Sequence, residues 1–452
     1  MTTTPRRPLR RSGPFALLAI TGLAAAALTA CAPGAAAPAA QNDVTVSTEL
    51  TSDPVELTIA DETGFPVTDK LTEEFTKQHP NVTFTITRDT FQNLTANAPK
   101  LLASATPPDL IRLPTLGDTV RDGLVANLDP YFDAYGWDAW PASQLAPLRM
   151  SEDGIRGSGS LYQLGLGYSI TGIYMNDKLA AQLGIDAPPQ TLAELEDDMA
   201  KAKAAGILPI MAGDKDGVVN FVVQAAMNQY VDKDQFLSWM FNEPGARYDE
   251  EGNVKGAELV RKWADAGYFP SDINAIDYFT FTSRFGEGEG LFTFNGNWEA
   301  ANYQKALGSD VSFFLVPPAE AGGDHVAMGA ANSFSVAAGS AHLNEIVYFL
   351  NWVHTDPTAR QIIVDVTGAS PGGDPSLEQP KVESGSLIED ALAMSAQIGA
   401  ENGQVDFMAN TTAGIYAGSI IPESQLLVTS QITGKEFVDR VQAFYEKEGG
   451  GK

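Results

Sequence analysis

Three apolar runs in fixed order govern what this chain can fold into. Val55, Leu57 and Ile59 alternate with polar neighbours, which is the period of a half-buried strand. Val67, Leu71 and Phe75 follow at four-residue spacing, laying them along one face of a helix that Pro80-Asn81 ends. Val82, Phe84 and Ile86 then alternate again. A strand–helix–strand opening builds a mostly parallel sheet with helices on its faces, so the fold class is expected to be α/β. Leu101 and Leu102 belong to a further helix, and Asp109-Leu110-Ile111 starts a third strand. Later strands are expected over 291–294, 313–316 and 334–336. Helix starts are marked by Thr191-Leu192-Ala193-Glu194 and Thr433-Gly434-Lys435-Glu436, both capping boxes, and by Asp356-Pro357.

Bulk properties narrow the function. At 452 residues the chain has room for two or three domain-sized units. Formal net charge is −28, and setting aside the four arginines of the first 30 residues leaves −32. Such a surface repels nucleic acid, so no nucleic-acid partner is expected. The four histidines are dispersed, without the spacing of a zinc site, and Asp214-Lys215-Asp216-Gly217 lacks the distal ligands of a calcium loop. No metal and no cofactor is expected.

The N-terminus carries an address. Arg6, Arg7, Arg10 and Arg11 precede an apolar run over 15–27 that ends at Leu28-Thr29-Ala30-Cys31. That run is too short and interrupted for a spanning helix and fits a secretory signal over 1–30. Leu28-Thr29-Ala30-Cys31 resembles a bacterial lipobox, which makes Cys31, the only cysteine, the expected lipidation site and membrane anchor. Residues 31–53, rich in Ala, Pro, Ser and Thr, are expected to form a flexible tether.

Several strings beyond the tether resemble one family in order. They are Glu56-Leu57-Thr58-Ile59, Pro108-Asp109-Leu110-Ile111, Leu166-Gly167-Tyr168, Gly290 through Gly296-Asn297-Trp298, Gly329 to Ser340, and Gly368-Ala369-Ser370-Pro371. Together they are similar to the extracellular solute-binding proteins of ABC importers, in the sugar-binding group related to maltose-binding protein. The resemblance implies a periplasmic-binding-protein-like fold: two α/β lobes joined by a three-crossing hinge, with a ligand cleft between them. It places one lobe at 54–167 plus 316–369 and the other at 168–315 plus 370–448. It also implies a small-molecule solute, most readily a carbohydrate, an ABC permease as partner, no enzymatic activity, and action as a monomer at the extracellular face of the membrane.

A sugar offers hydroxyls around its rim and C–H faces above and below, so its site needs an aromatic platform with carboxylates and amides in plane. Trp298, which follows a strand and Gly296, is the first candidate, flanked by Asn297 and Glu299. Asp61 and Glu62 follow the first strand, and Thr115 and Asp118 the third. The family resemblance adds Tyr168 at the first crossing, Asp216, Asn220 and Phe221 around a helix start, Asn332 and Ser333 after Gly329, and Phe407. Tyr278 and Arg284 are weaker candidates. Many family members carry a tryptophan after the Pro-Asp strand, where this chain has Leu113-Pro114. A peptide, polyamine or phosphodiester remains open as ligand, and so does a glycoside-acting enzyme, although no Gly-x-Ser-x-Gly elbow is embedded in a strand–turn–helix setting.

Overall fold

The computed structural model describes residues 45–152 and 154–452; the expected signal segment, Cys31 and the expected tether up to residue 44 lie outside them. Among the described residues no helix is long and apolar enough to cross a membrane. The opening unit forms as its periodicity dictates. Strand β1 (Val55–Glu62) and β2 (Val82–Asp89) pair in parallel, and the helix Val67–Gln78 between them buries Val67, Leu71 and Phe75. Strand β3 (Leu110–Arg112) joins the other side of β1, also in parallel. Asp109 locks that junction: its carboxylate accepts from the Thr58 N–H at 2.8 Å, the Thr58 hydroxyl at 2.9 Å and the Ser340 hydroxyl at 2.6 Å.

Beyond β3 the sheet is not the mostly parallel one expected. Following the two-residue strands β4 (Arg149–Met150) and β5 (Ser160–Leu161), which pair as a small hairpin, the chain runs into β6 (Gln163–Asn176). This strand has 14 residues, all buried, and would extend about 46 Å at 3.3 Å per residue. It pairs antiparallel with β7 (Phe292–Gly296), β8 (Val311–Phe314) and β9 (Ala327–Val336). Strand order is β2-β1-β3-β9-β6-β7, with β8 on β6 and a short parallel β10 (Gln404–Val405) on β9. Local βαβ signals could not reveal this, because β6 and its antiparallel partners β7, β8 and β9 lie more than 100 residues apart in sequence.

Two strand boundaries differ for physical reasons. The strand expected over 313–316 ends at Phe314, because the prolines at 317 and 318 cannot continue a ladder. The one expected over 291–294 runs on to Gly296, held by Thr171 and Gly172 of β6. The capping box at Thr433 is complete, and Asp356 caps the helix Pro357–Thr367. At Thr191 only half of the box forms: the hydroxyl accepts from Glu194 N–H, but the Glu194 carboxylate takes the N–H of Gln190. Residues 45–53, the end of the expected tether, lie against the fold, with Asn344 bonding Ser47 and Thr45 and Asn81 bonding Thr51 and Asp53.

The apolar interior divides. One core gathers Leu57, Leu71, Phe75, Trp137, Leu164, Phe334 and Phe349; another gathers Ile173, Met199, Val223, Trp239, Phe292, Met408 and Phe437. β6 contributes Leu164 to the first and Ile173 to the second, and β9 contributes Phe334 and Met328 in the same way. Ala369, on a third segment, lies in the first core and is followed by Ser370, which bonds Tyr168 in both directions at 2.7 and 3.1 Å. His354 braces this passage from inside, its ring nitrogens 2.9 Å from the Pro371 carbonyl and 2.8 Å from that of Gly165. In the second core the helix Asn220–Met227 lies so close to the helix Glu251–Asp265 that a Cβ on Gly256 would collide with the Met227 backbone.

Alanine at Gly256 should gain about 1 kcal/mol in helix propensity yet lose more through that collision, for a net destabilisation of about 1–2 kcal/mol. Urea denaturation would measure it, and a midpoint equal to or above that of the unaltered protein would rule out the close approach.

Candidate functional site

Phe221, Trp298 and Phe407 come from three separate places and converge. Phe221 stands in the first turn of its helix, Trp298 in the 3-10 turn directly after β7, and Phe407 two residues beyond β10. Their ring centroids are 5.9 Å (Phe221–Trp298), 5.8 Å (Phe221–Phe407) and 6.4 Å (Trp298–Phe407) apart, and all three rings are half-buried. That is a rigid apolar surface with one side packed, the form suited to stacking a flat C–H face.

Trp298 is fixed in place twice over. Its indole N–H donates to the Tyr278 hydroxyl at 2.6 Å, and that hydroxyl donates to a Glu299 carboxylate oxygen at 2.6 Å. The other Glu299 oxygen accepts from Asn302 at 2.9 Å. Burial holds the Glu299 carboxyl above the usual carboxylate range, and burial followed by the nearby Glu299 charge pushes the Tyr278 phenol well up. The six-membered ring of the indole lies on Gly296, where any Cβ would overlap it. The Gly-x-Trp spacing is therefore a steric requirement.

The rim at the end of β1 supplies charge. Asp61 is fully buried and accepts from the Glu62 N–H at 2.7 Å, with Arg88 at 3.9 Å. Burial pushes its carboxyl up to about 6, while the Thr68 hydroxyl, the Glu62 N–H and Arg112 pull the other way. Glu62 pairs with Arg112 at 3.3 Å, and Arg112 also donates to the Ser333 carbonyl at 3.2 Å. The guanidinium lies 5.4 Å from the Phe65 ring centre and 5.7 Å from that of Phe334. Arg112 was not among the candidates, although a lone cation ending a buried strand is a readable signal. Phe279 was also missed. It is 60% exposed, and a Cβ on Gly64 would stand 2.9 Å from its ring, so the helix carrying Tyr278 meets the loop that follows Glu62.

Other candidates fall elsewhere. Asn297 is fully buried, with its amide used up between the Ile170 N–H and the Gly368 carbonyl, so it ties β6 to the third crossing segment rather than facing solvent. Tyr168 is buried at the first crossing beside Gly372 and His354. Asn332 bonds Ser169 and Ser333 bonds the Leu113 carbonyl, both within the sheet. Asn220 is buried and donates to the Gly217 carbonyl at 2.7 Å. Asp216 accepts from the Tyr278 N–H at 3.3 Å beside the aromatic group. Asp214 is buried against the Ser424 hydroxyl, and burial holds it well above the usual range. Thr115 is half-buried, whereas Asp118 is an exposed partner of Arg121. Arg284 is paired with Glu289 on the surface.

Residues 70–389 match the model of a family described as bacterial extracellular solute-binding protein. The chain belongs to that family. Its members are binding proteins that work outside the cytoplasm, and no curated protein matches the sequence. Solved structures similar in fold include a chitin oligosaccharide binding protein, at 18% identity with a TM-score of 0.69, covering 86% of this chain and 98% of that one. A structure from work on xylan utilization by the thermophilic bacterium Caldanaerobius polysaccharolyticus has 18% identity and a TM-score of 0.73, covering 86% and 100%. The galacto-N-biose-/lacto-N-biose I-binding protein of an ABC transporter from Bifidobacterium longum, in complex with lacto-N-biose, has 16% identity and a TM-score of 0.69, covering 88% and 98%. The fold of this solute-binding protein is thus periplasmic-binding-protein-like, with three crossings between the two largest of the four apolar cores among the described residues.

Asp61 gives this family member a characteristic pH response. Its folded carboxyl titrates near 6, above the ordinary value of 3.8, so its stabilising contribution is complete below that ordinary value and is lost as pH rises through 6. Asp61→Asn should therefore be more stable than the unaltered protein at pH 8, by roughly 2–3 kcal/mol, with the difference vanishing near pH 4. Denaturation curves at the two pH values decide it; parallel pH dependence in both proteins would contradict the assignment.

Proposed function

We propose that this chain is the substrate-capturing subunit of an ABC importer and that its ligand is a sugar or short oligosaccharide. The observation that carries the reading is the aromatic group of Phe221, Trp298 and Phe407, with Trp298 held by Tyr278 and Glu299. The carbohydrates bound by proteins of similar fold support it. Glu62 and Arg112, with the buried Asp61 behind them, face the ligand from the other side, accepting from and donating to its hydroxyls, while Thr115 and Asp216 lie further out. Asn297, Tyr168, Asn332 and Ser333 shape the passage between the cores and do not touch ligand.

The lobes of this reading follow the two cores. They part within β6 near Tyr168, within β9 between Gly329 and Ala331, and after Ala369. Val316 packs with the second core, so in this reading that lobe takes in residue 316 as well as the expected 168–315. Ligand bound to the aromatic group gains the charged rim only when the lobes approach, and closure is stabilised by that added contact. The closed form is what a permease would recognise. Such a protein acts as a monomer, catalyses no turnover, and is retained at the extracellular face of the membrane by lipid on Cys31.

A thermal-shift panel of maltose, raffinose, chitooligosaccharides, xylo-oligosaccharides and lacto-N-biose, with polyamines and peptides alongside, tests the ligand class. A sugar at one hundred times its dissociation constant should add about 2.7 kcal/mol to stability. Trp298→Ala should weaken that sugar about thirtyfold, on the order of 2 kcal/mol. A shift with polyamine or peptide and none with any sugar would overturn the assignment. Retention has its own check: Cys31→Ser should move the protein from the membrane fraction to the medium, and an unchanged membrane fraction would exclude lipid anchoring there.

A further inference from the structure

The first core and the loop of Phe407 are joined by a side chain that none of the three crossings includes. The hairpin of β4 and β5 is rooted in the first core, where Leu148 and Leu161 are buried and Arg149 pairs with Asp129 at 3.3 Å. Between the strands the chain reaches out to Arg156, which is buried against the second core. Its backbone N–H donates to the Phe241 carbonyl at 3.2 Å, and its guanidinium lies 5.7 Å from the Phe241 ring centre. Nη2 donates to the Pro147 carbonyl on its own side at 3.2 Å and to Asp406 Oδ2 on the other side at 2.6 Å. Nη1 donates to the Asn410 carbonyl at 3.2 Å. Exposure of the paired side chains is 6% for Arg156 and 4% for Asp406.

Asp406 turns this ion pair into a constraint on the candidate site. Its other oxygen, Oδ1, accepts from the Phe407 N–H at 2.7 Å and from Asn410 Nδ2 at 2.9 Å. Gln224, one helical turn beyond Phe221, grips the same loop through the Asp406 carbonyl and the Met408 N–H, each at 2.7 Å. Charge in so dry a place is tolerated only while every partner stays in position. Parting the cores would either strip Asp406 of its counter-ion or drag the hairpin along.

We propose that Arg156 is a positioning residue of the ligand site: from the first lobe it holds the Phe407 loop of the second and biases the lobes toward each other before ligand arrives. This rests on the two-lobe binding reading above, yet it is tested without any sugar. In the full chain with Cys31→Ser, its sole cysteine removed, Lys100→Cys and Lys255→Cys place one spin label on each lobe. Pulsed electron resonance then gives the distance between the lobes. Arg156→Met leaves Asp406 buried without a counter-ion and carries the risk of misfolding, so the decisive variant is Arg156→Met with Asp406→Asn, which leaves no lone charge and keeps the Oδ1 acceptor. The expected result is a longer and broader ligand-free distance distribution than in the reference, together with at least about tenfold faster hydrogen exchange at the Phe407 amide. Arg156→Lys should restore part of the short-distance population. An unchanged distance distribution in the folded double variant overturns the proposal. A sugar panel without hits would count against the ligand assignment alone.

Discussion

The antiparallel ribbon of β6 and β9 is the constraint on which everything else depends. Each strand is long enough to leave one core and enter the other, and the ladder between them runs through that passage from Gln163↔Ser335 to Ile170↔Gly329. The register of this ribbon is fixed, because slipping by one residue would turn every buried side chain to the opposite face. The ribbon can still bend and twist where the ladder is irregular. The register shifts between Gly165 and Tyr168, and Gly167 there adopts φ +112°, a conformation that L side chains rarely adopt. Ser370 fastens the third segment to Tyr168 at that same irregularity, so the three passages share one pivot.

Polar groups cluster at the pivot because the backbone there lacks a regular partner on one side. Asn297 supplies one acceptor and one donor to close the gap between Ile170 and Gly368, and His354 spans Gly165 and Pro371. Burial pulls the His354 imidazole down to about 4, while the two carbonyl oxygens facing its ring nitrogens pull it upward; a neutral ring donates to only one of them. An unpaired buried amide or carbonyl costs about 1–3 kcal/mol, so these side chains keep the passage intact.

That distinction explains what the sequence revealed and what it hid. The opening unit was legible because Val55, Leu57, Ile59, Leu71 and Phe75 carry their period locally, and cap residues such as Asp356 and Thr433 act on their own helix. Gly-x-Trp was legible as a unit, and its cause is the indole lying on Gly296. The mixed direction of the sheet was hidden, since no local pattern tells β6 that its partners lie at 292–296 and 327–336. So was the use made of each polar residue. Asn297 and Glu299 flank the same tryptophan in sequence, yet one bonds backbone at the pivot and the other ends the chain of donors that begins at Trp298. Phe279 went unrecognised because its meaning depends on Gly64, a neighbour contributed by a distant segment, whereas Arg112 carried a local signal at the end of its strand.

The division of labour between the two sides follows from the same physics. Aromatic rings stack without needing charge, so they suit the edge of the second core, against which Phe221 and Phe407 pack. Carboxylates and a guanidinium need solvation or each other, and the rim of β1 and β3 offers both: Glu62 and Arg112 pair at partial exposure, with phenylalanine rings beneath the cation. In the proposed reading, a ligand resting on the rings alone has its apolar face satisfied and its hydroxyls still in water. On that reading only approach of the charged rim exchanges that water for directed hydrogen bonds, so the gain on closure would depend on ligand polarity and the initial capture on ligand shape.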